Sequence, residues 1–220
     1  MNSFSSDVDI LRYEPCLFGG LYSKGQVLAS GIGGQLSGTS FTAADEEFYS
    51  AGVSVGSVIY LSSDDGLIDS AFEVISVDSA TQLTVSVVRT DSADEAVSPG
   101  DCDELSYRVC TYQPQSNEVL FQLTQHFGLR PGVADSDYDA DDILDTEVLR
   151  QASVYGTLAL VFATLAWSES GTEQGFWAKH KYYRNLFEES RQRCKVNIDS
   201  GGDGVSDSVR SGASIRLRRD

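Results

Sequence analysis

Paired cysteines, positive charge and long apolar runs are all scarce in this chain of 220 residues, and each shortage removes a class of protein. Cys16, Cys102, Cys110 and Cys194 form no CxxC pair, which favours free thiols over a disulfide framework. A membrane span needs roughly 18 uninterrupted apolar residues. The nearest stretch, Val154 to Trp167, is too short. The opening Met1-Asn2-Ser3-Phe4 runs into acidic residues rather than a basic segment and an apolar core, so no secretory signal is expected. Lys and Arg number 16 against 33 Asp and Glu, a net charge of −17. That balance argues against general nucleic-acid binding, which relies on cations neutralising phosphates. A soluble protein made in the cytosol is the expectation.

Catalytic signatures are missing as well. The two histidines, His126 and His180, fall on helical patterns, and His180 lies within an aromatic stripe. Packed or boundary imidazoles fit those positions better than a base or a ligand. GxSxG, HExxH and the P-loop do not occur. Gly31-Ile32-Gly33-Gly34 lacks the spacing of a dinucleotide fingerprint and no helical pattern follows it, so a flexible loop is expected there. The chain is therefore read as no enzyme, with no cofactor.

What is present is an uneven charge and a change of period along the chain. Residues 1–177 carry 6 basic and 27 acidic side chains; residues 178–220 carry 10 and 6. An acidic body with a basic end suits docking of that end on an acidic partner, or an ordinary solvated surface. Asp7 to Tyr13 reads as a short helix capped by Asp7 and stopped by Pro15. Leu17 to Gly38 reads as irregular, with one strand at Gln26 to Ala29, and Thr42 caps a short helix through Tyr49. Ser57 to Leu61, Ala71 to Val77, Gln82 to Val88 and Leu105 to Tyr112 alternate with period two and are expected as strands.

Beyond Pro114 the period becomes helical. Ser116 is expected to cap a helix bearing Val119, Leu120, Leu123 and Phe127 and ending at Gly128. Asp145 to Ser168 places Leu144, Val148, Tyr155, Leu158, Phe162 and Leu165 at helical spacings. Between Val154 and Trp167 it is apolar all round, and such a helix is buried all round. Ser170 and Glu173 have the spacing of a capping box for a last helix, with Phe176, His180, Tyr183 and Phe187 as its stripe. Tyr155, Leu158, Phe162, Leu165, Phe176, Tyr183 and Phe187 are the expected packing residues, within the chain or between subunits.

The fold class expected is α+β: a bundle of three to four helices with an inserted small antiparallel β-barrel or sandwich, and an extended C-terminal tail. Residues 1–24 would join the helical domain, 25–112 form the β domain, 113–195 the bundle and 196–220 the tail. Asp199, Asp203, Gly204 and Asp207 resemble a calcium loop, but Gly201 and Arg210 stand where further ligands belong. The better account is a tight glycine turn whose carboxylates cap backbone amides or pair with nearby arginines. The alternating Asp135, Asp137, Asp139 and Asp141 lack a glycine turn and read as a solvated linker. In the tail, Ile215 and Leu217 alternate with Arg216, Arg218 and Arg219. This pattern suits addition to a partner's sheet edge, or an unstructured basic terminus.

Several of these segments together resemble one phage protein pattern. They are Asp9-Ile10-Leu11-Arg12-Tyr13-Glu14-Pro15, Gly52-Val53 leading to Gly56-Ser57-Val58-Ile59, Tyr107 to Pro114, Ala178 to Arg184, and Val196-Asn197-Ile198-Asp199 with Gly202-Asp203-Gly204-Val205-Ser206-Asp207. The whole is similar to head-to-tail connector (adaptor, or head-completion) proteins of long-tailed bacteriophages. The resemblance implies a structural virion protein of the neck, assembled in the host cytoplasm as a homo-oligomeric, typically dodecameric ring under the portal protein. It would extend the DNA channel and offer a docking surface to neck, stopper or tail-terminator proteins. The major capsid protein is a further implied neighbour, and viral DNA would pass without sequence-specific binding or a membrane. By the same resemblance, Ile215, Arg216, Leu217, Arg218 and Arg219 would dock on the portal. A calcium-dependent β-domain adhesion module, or another neck or tail-completion protein, is the alternative.

Overall fold

The computed structural model describes residues 3–129, 139–168 and 173–212. It is a mixed α+β structure, with four α-helices and a closed six-stranded antiparallel β-barrel among the described residues. Two compact units divide the chain: Ser6–Tyr112, and Met1–Ser5 with Gln113–Asp220.

The Ser6–Tyr112 unit opens with helix α1 (Asp7–Leu11). Its cap is Ser6 rather than Asp7: the Ser6 hydroxyl accepts from the Asp9 amide at 3.3 Å, and the Asp9 carboxylate accepts from the Ser6 amide at 2.9 Å. This reciprocal box satisfies two amides that have no partner inside the helix. Strands β1 (Val27–Ser37), β2 (Ser40–Thr42), β3 (Val58–Ser62), β4 (Asp69–Ser79), β5 (Gln82–Ser86) and β6 (Cys102–Cys110) follow. They are ordered β1-β2-β5-β4-β3-β6, and β6 pairs antiparallel with both β3 and β1, which shuts the barrel. Phe41, Phe48 and Tyr107 meet edge-on or tilted at the centre, among Ile59, Leu61, Val74, Leu83, Val85, Leu105 and Val109. Each fully buried ring or branched aliphatic there contributes roughly 1.5–3 kcal/mol.

Three expectations fail in this unit. The glycine-rich stretch is not a loop: it is the eleven-residue strand β1. A Cβ on Gly31 would lie 2.5 Å from the Tyr107 hydroxyl, and one on Gly34 would lie 2.7 Å from the Phe41 ring. The glycines are therefore where barrel aromatics press on the strand, and pairing with β6 shifts register around them. Residues 42–49 form no helix; Thr42 ends β2 and turns lead on to Phe48, which is buried in the core. Residues 6–24 cluster with the barrel rather than with the helices, and the buried Phe18 ring packs edge-on to Tyr112 of the same unit.

In the other unit, α2 (Gln113–His126), α3 (Glu147–Ser168) and α4 (Glu173–Arg193) pack with α3 against both neighbours. Helix α2 carries Pro114 in its first turn, where the missing N–H costs nothing. It closes with Gly128 at φ +74, as the Leu129 amide reaches Thr124 and the Gly128 amide reaches Gln125. Ser116 is not a cap but a buried link inside α2, its hydroxyl 3.2 Å from that of Thr157, while the Ser153 hydroxyl meets that of Ser5 at 2.8 Å. Gly156 lets α2 and α4 approach α3, since a Cβ would lie 2.8 Å from Val119 and 3.1 Å from Phe187.

From Val154 to Phe162 most of α3 is buried, but Leu144 and Val148 are exposed and Leu149 and Ala152 hold the core instead. By length and composition α3 could cross a membrane even though its apolar run is interrupted; 56% of the qualifying window is buried inside the protein, as in a core helix. The extended tail expected from Val196 is absent over residues 196–212. That stretch is a hairpin of β7 (Lys195–Ile198) and β8 (Ser208–Ser211), with Val196 and Ile198 buried among Leu123, Phe127 and Ile143.

Candidate functional site

The barrel unit carries a wide groove of about 820 Å³, walled by Leu11, Pro15, Leu21, Phe72, Val87 and Val88. The chain after α1 forms one wall, and Arg108 of β6 fixes it. The guanidinium stacks 3.6 Å from the Tyr22 ring centroid and donates to the carbonyls of Phe18 and Gly19 at 3.0 and 2.6 Å. Tyr60 donates to Asp69 at the groove's rim, and that hydrogen bond raises the phenol's pKa. Arg12 lines the groove with its charge spent on Asp9 (3.0 Å) and on the Arg89 carbonyl (2.9 Å). The groove can hold apolar groups, and Asp69 supplies one carboxylate.

Charge on this unit is one-sided. Residues 6–112 hold 17 acidic and 4 basic side chains. Three of the four cations work internally: Arg12 and Arg108 as above, and Arg89 in a buried 2.8 Å ion pair with Glu73. Arg89 also donates to the Ser92 and Asp94 carbonyls at 2.8 and 2.6 Å, pinning the acidic loop between β5 and β6. Sequence reasoning gave the acidity but missed this, because an arginine in a strand pattern does not announce its partners.

Two further acids are set by burial. Asp7 is buried where its carboxylate accepts from the Tyr112 amide at 2.8 Å, and desolvation pushes its pKa up to about 6 against the opposing hydrogen bonds. Burial also raises the pKa of Cys110 and of Tyr112, with the Asp7 charge adding to both shifts and Arg108 opposing them. The Tyr107 phenol is pushed up to about 12, first by burial and then by its 3.0 Å hydrogen bond to Glu46.

In the helical unit, the expected packing residues meet within the chain. Phe162 stacks on Phe176 and Tyr183 at centroid distances of 6.0 and 5.8 Å, Tyr155 lies 6.3 Å from Tyr183, and Leu158 and Phe187 are buried. Leu165 is half-buried. Two further aromatic side chains have no such cover: Trp167 is 81% exposed and lies 6.0 Å from Trp177, and elsewhere on α4 Tyr182 is 60% exposed. Beside Trp167 runs a shallow groove of about 360 Å³ bounded by Pro114, Glu118, Leu160 and Ala163. His180 Nδ1 lies 2.8 Å from the Ala159 carbonyl. His126 packs edge-on to Phe127, and burial, then Arg191, lowers its pKa.

The aspartate loop spends its carboxylates on the backbone. Asp199 is buried and accepts from the amides of Gly201, Gly202, Asp203 and Gly204 at 2.6 to 3.3 Å. Asp207 accepts from the Ser200 hydroxyl and amide and from the Gly201 amide, and those bonds hold its carboxyl below the usual range. Asp203 turns instead to the Val205 amide. Among the described residues, no three His, Cys, Asp or Glu side chains gather to hold a metal ion. Asp135 and Asp137, the Ser170 of the expected capping box, and the tail residues Ile215, Arg216, Leu217, Arg218 and Arg219 lie outside the described residues. No protein-family model, curated protein or solved structure matches this chain.

Proposed function

We propose that the chain is a structural head-to-tail connector of a tailed bacteriophage, built as a helical bundle with an inserted barrel and a C-terminal docking segment. It assembles as a homo-oligomeric ring beneath the portal protein, extends the DNA channel and presents a surface to neck or tail proteins. It acts by assembly and performs no chemistry. The observation that carries the reading is the division of charge: a barrel unit whose cations are mostly internal, against a basic run from α4 to the C-terminal end. An excess of carboxylates around a channel would repel the phosphate backbone and let DNA slide rather than bind. The apolar α3, flanked by two helices, supports a rigid bundle able to stand in a ring wall.

The alternating segment Ile215 to Arg219 is the docking element in this reading, with apolar side chains toward the portal and arginines toward its carboxylates. Two experiments test the proposal. Gold labelling of the chain on phage particles should mark the neck; label on the capsid faces or tail fibres sinks the reading. Particles carrying a deletion of residues 211–220 should package DNA but fail to complete the neck. Normal particles from that deletion would remove the docking role.

A further inference from the structure

We infer that copies of this chain associate head to tail, with the aromatic, basic face at the end of α3 and start of α4 seated on the acidic barrel surface of a second copy. The inference rests on the proposed ring for the presence of several copies, and adds which surfaces meet. Two observations define the first face. The core of the helical unit is completed by Phe162, Phe176 and Tyr183, so Trp167 is surplus to it and stands in solvent at 81% exposure, 6.0 Å from Trp177. Exposed Lys181 and Arg184 follow Trp177 one and two turns along the same face of α4. Trp and Arg together are the composition of an interface centre, and an ordinary solvated helix face lacks the surplus ring.

The occupant follows from charge. Residues 173–195 carry six basic and three acidic side chains, whereas residues 6–112 carry 4 basic and 17 acidic, three of those cations being engaged internally. The loop from Val87 to Asp101 presents its carboxylates in a fixed frame. Arg89 holds the Ser92 and Asp94 carbonyls, the Val87 amide reaches the Val97 carbonyl at 3.0 Å, and Asp101 takes the Gly38 amide at 2.6 Å. Exposed Val97 gives this acidic frame an apolar point for an aromatic ring. Unlike surfaces attract, and in the ring proposed above this contact repeats from copy to copy as a heterologous one.

Sedimentation velocity and native mass spectrometry of the full chain, over a concentration series at about 50 mM and about 500 mM salt, test this. Wild type should assemble, and high salt should weaken assembly. Trp167→Ala, or Lys181→Glu with Arg184→Glu, should raise the concentration of half-assembly about tenfold or more, as should Glu95→Lys in the acidic loop. Combining the two charge reversals should restore most of the wild-type behaviour, a recovery that misfolding cannot mimic. If the variants assemble like wild type, these surfaces are wrong and the ring stands. If wild type stays monomeric throughout, the head-to-tail contact is overturned, and the neck-labelling experiment judges the ring separately.

Discussion

Replacing Asp7 by Asn should stabilise the barrel unit at neutral pH and leave it almost unchanged near pH 4. The carboxylate sits in the protein interior with the Tyr112 amide as its fixed donor. Burial raises its pKa from 3.8 to about 6 despite that bond. For an acid raised in the folded state, stability is fully present below the unfolded value and is lost as pH rises through the folded one. Each tenfold gap in proton affinity is worth 1.36 kcal/mol, so ionised Asp7 costs the folded barrel about 3 kcal/mol above pH 7. Asparagine keeps an oxygen for the Tyr112 amide and removes the charge. The two tryptophans, Trp167 and Trp177, both lie in the helical unit, so their fluorescence does not report on the barrel. Amide exchange at core strand positions such as Ile59 and Val74 does. The difference between variant and wild type should grow between pH 4 and pH 7, since the other carboxylates cancel in the subtraction. A difference independent of pH, or a variant less stable at pH 8, refutes the account.

Three further outcomes are expected. Asp199→Ala strips the acceptor from four backbone amides and should cost the helical unit about 3 kcal/mol, read as a lowered urea midpoint of tryptophan fluorescence. In calorimetry, added calcium should give wild type no heat and no change in melting temperature; either signal revives the calcium reading. Gly156→Ala drives a methyl into Val119 and Phe187, and about 1–3 kcal/mol of destabilisation should appear in the same fluorescence assay, which an unchanged midpoint would contradict. Arg108→Met removes the donors to Phe18 and Gly19 and the stack on Tyr22, so limited proteolysis should cut residues 19–25 several-fold faster while the barrel core stays protected.

The parts of the fold legible in sequence were those with a clean period. Strands β3 to β6 and helices α2 to α4 each show one, and the capping of the aspartate loop followed from its turn chemistry. The misses have a common cause. Gly31 and Gly34 looked like freedom, but the rings of Tyr107 and Phe41 occupy the space of their side chains, a fact that depends on residues far along the chain. Ser116 looked like a cap because its true partner, Thr157, lies on another helix. Val196 and Ile198 looked like the start of a tail because a two-residue alternation does not reveal which core it enters. The acidity of the barrel unit was visible, while the internal use of Arg89 and Arg108 was not.

Closure of the barrel also sets an order of events during synthesis. β6 must pair with both β1 and β3, so the cylinder cannot shut until about residue 110 has left the ribosome, and its distant pairing makes that step slow. Once Tyr112 emerges, its amide finds Asp7 and residues 6–112 are complete as a folding unit. Phe4 and Ser5, made before the barrel, must then wait for partners made much later, because their contacts are with the helical unit and the Ser5 hydroxyl has Ser153 as its mate. Residues that precede the barrel in sequence are thus among the last to find their place.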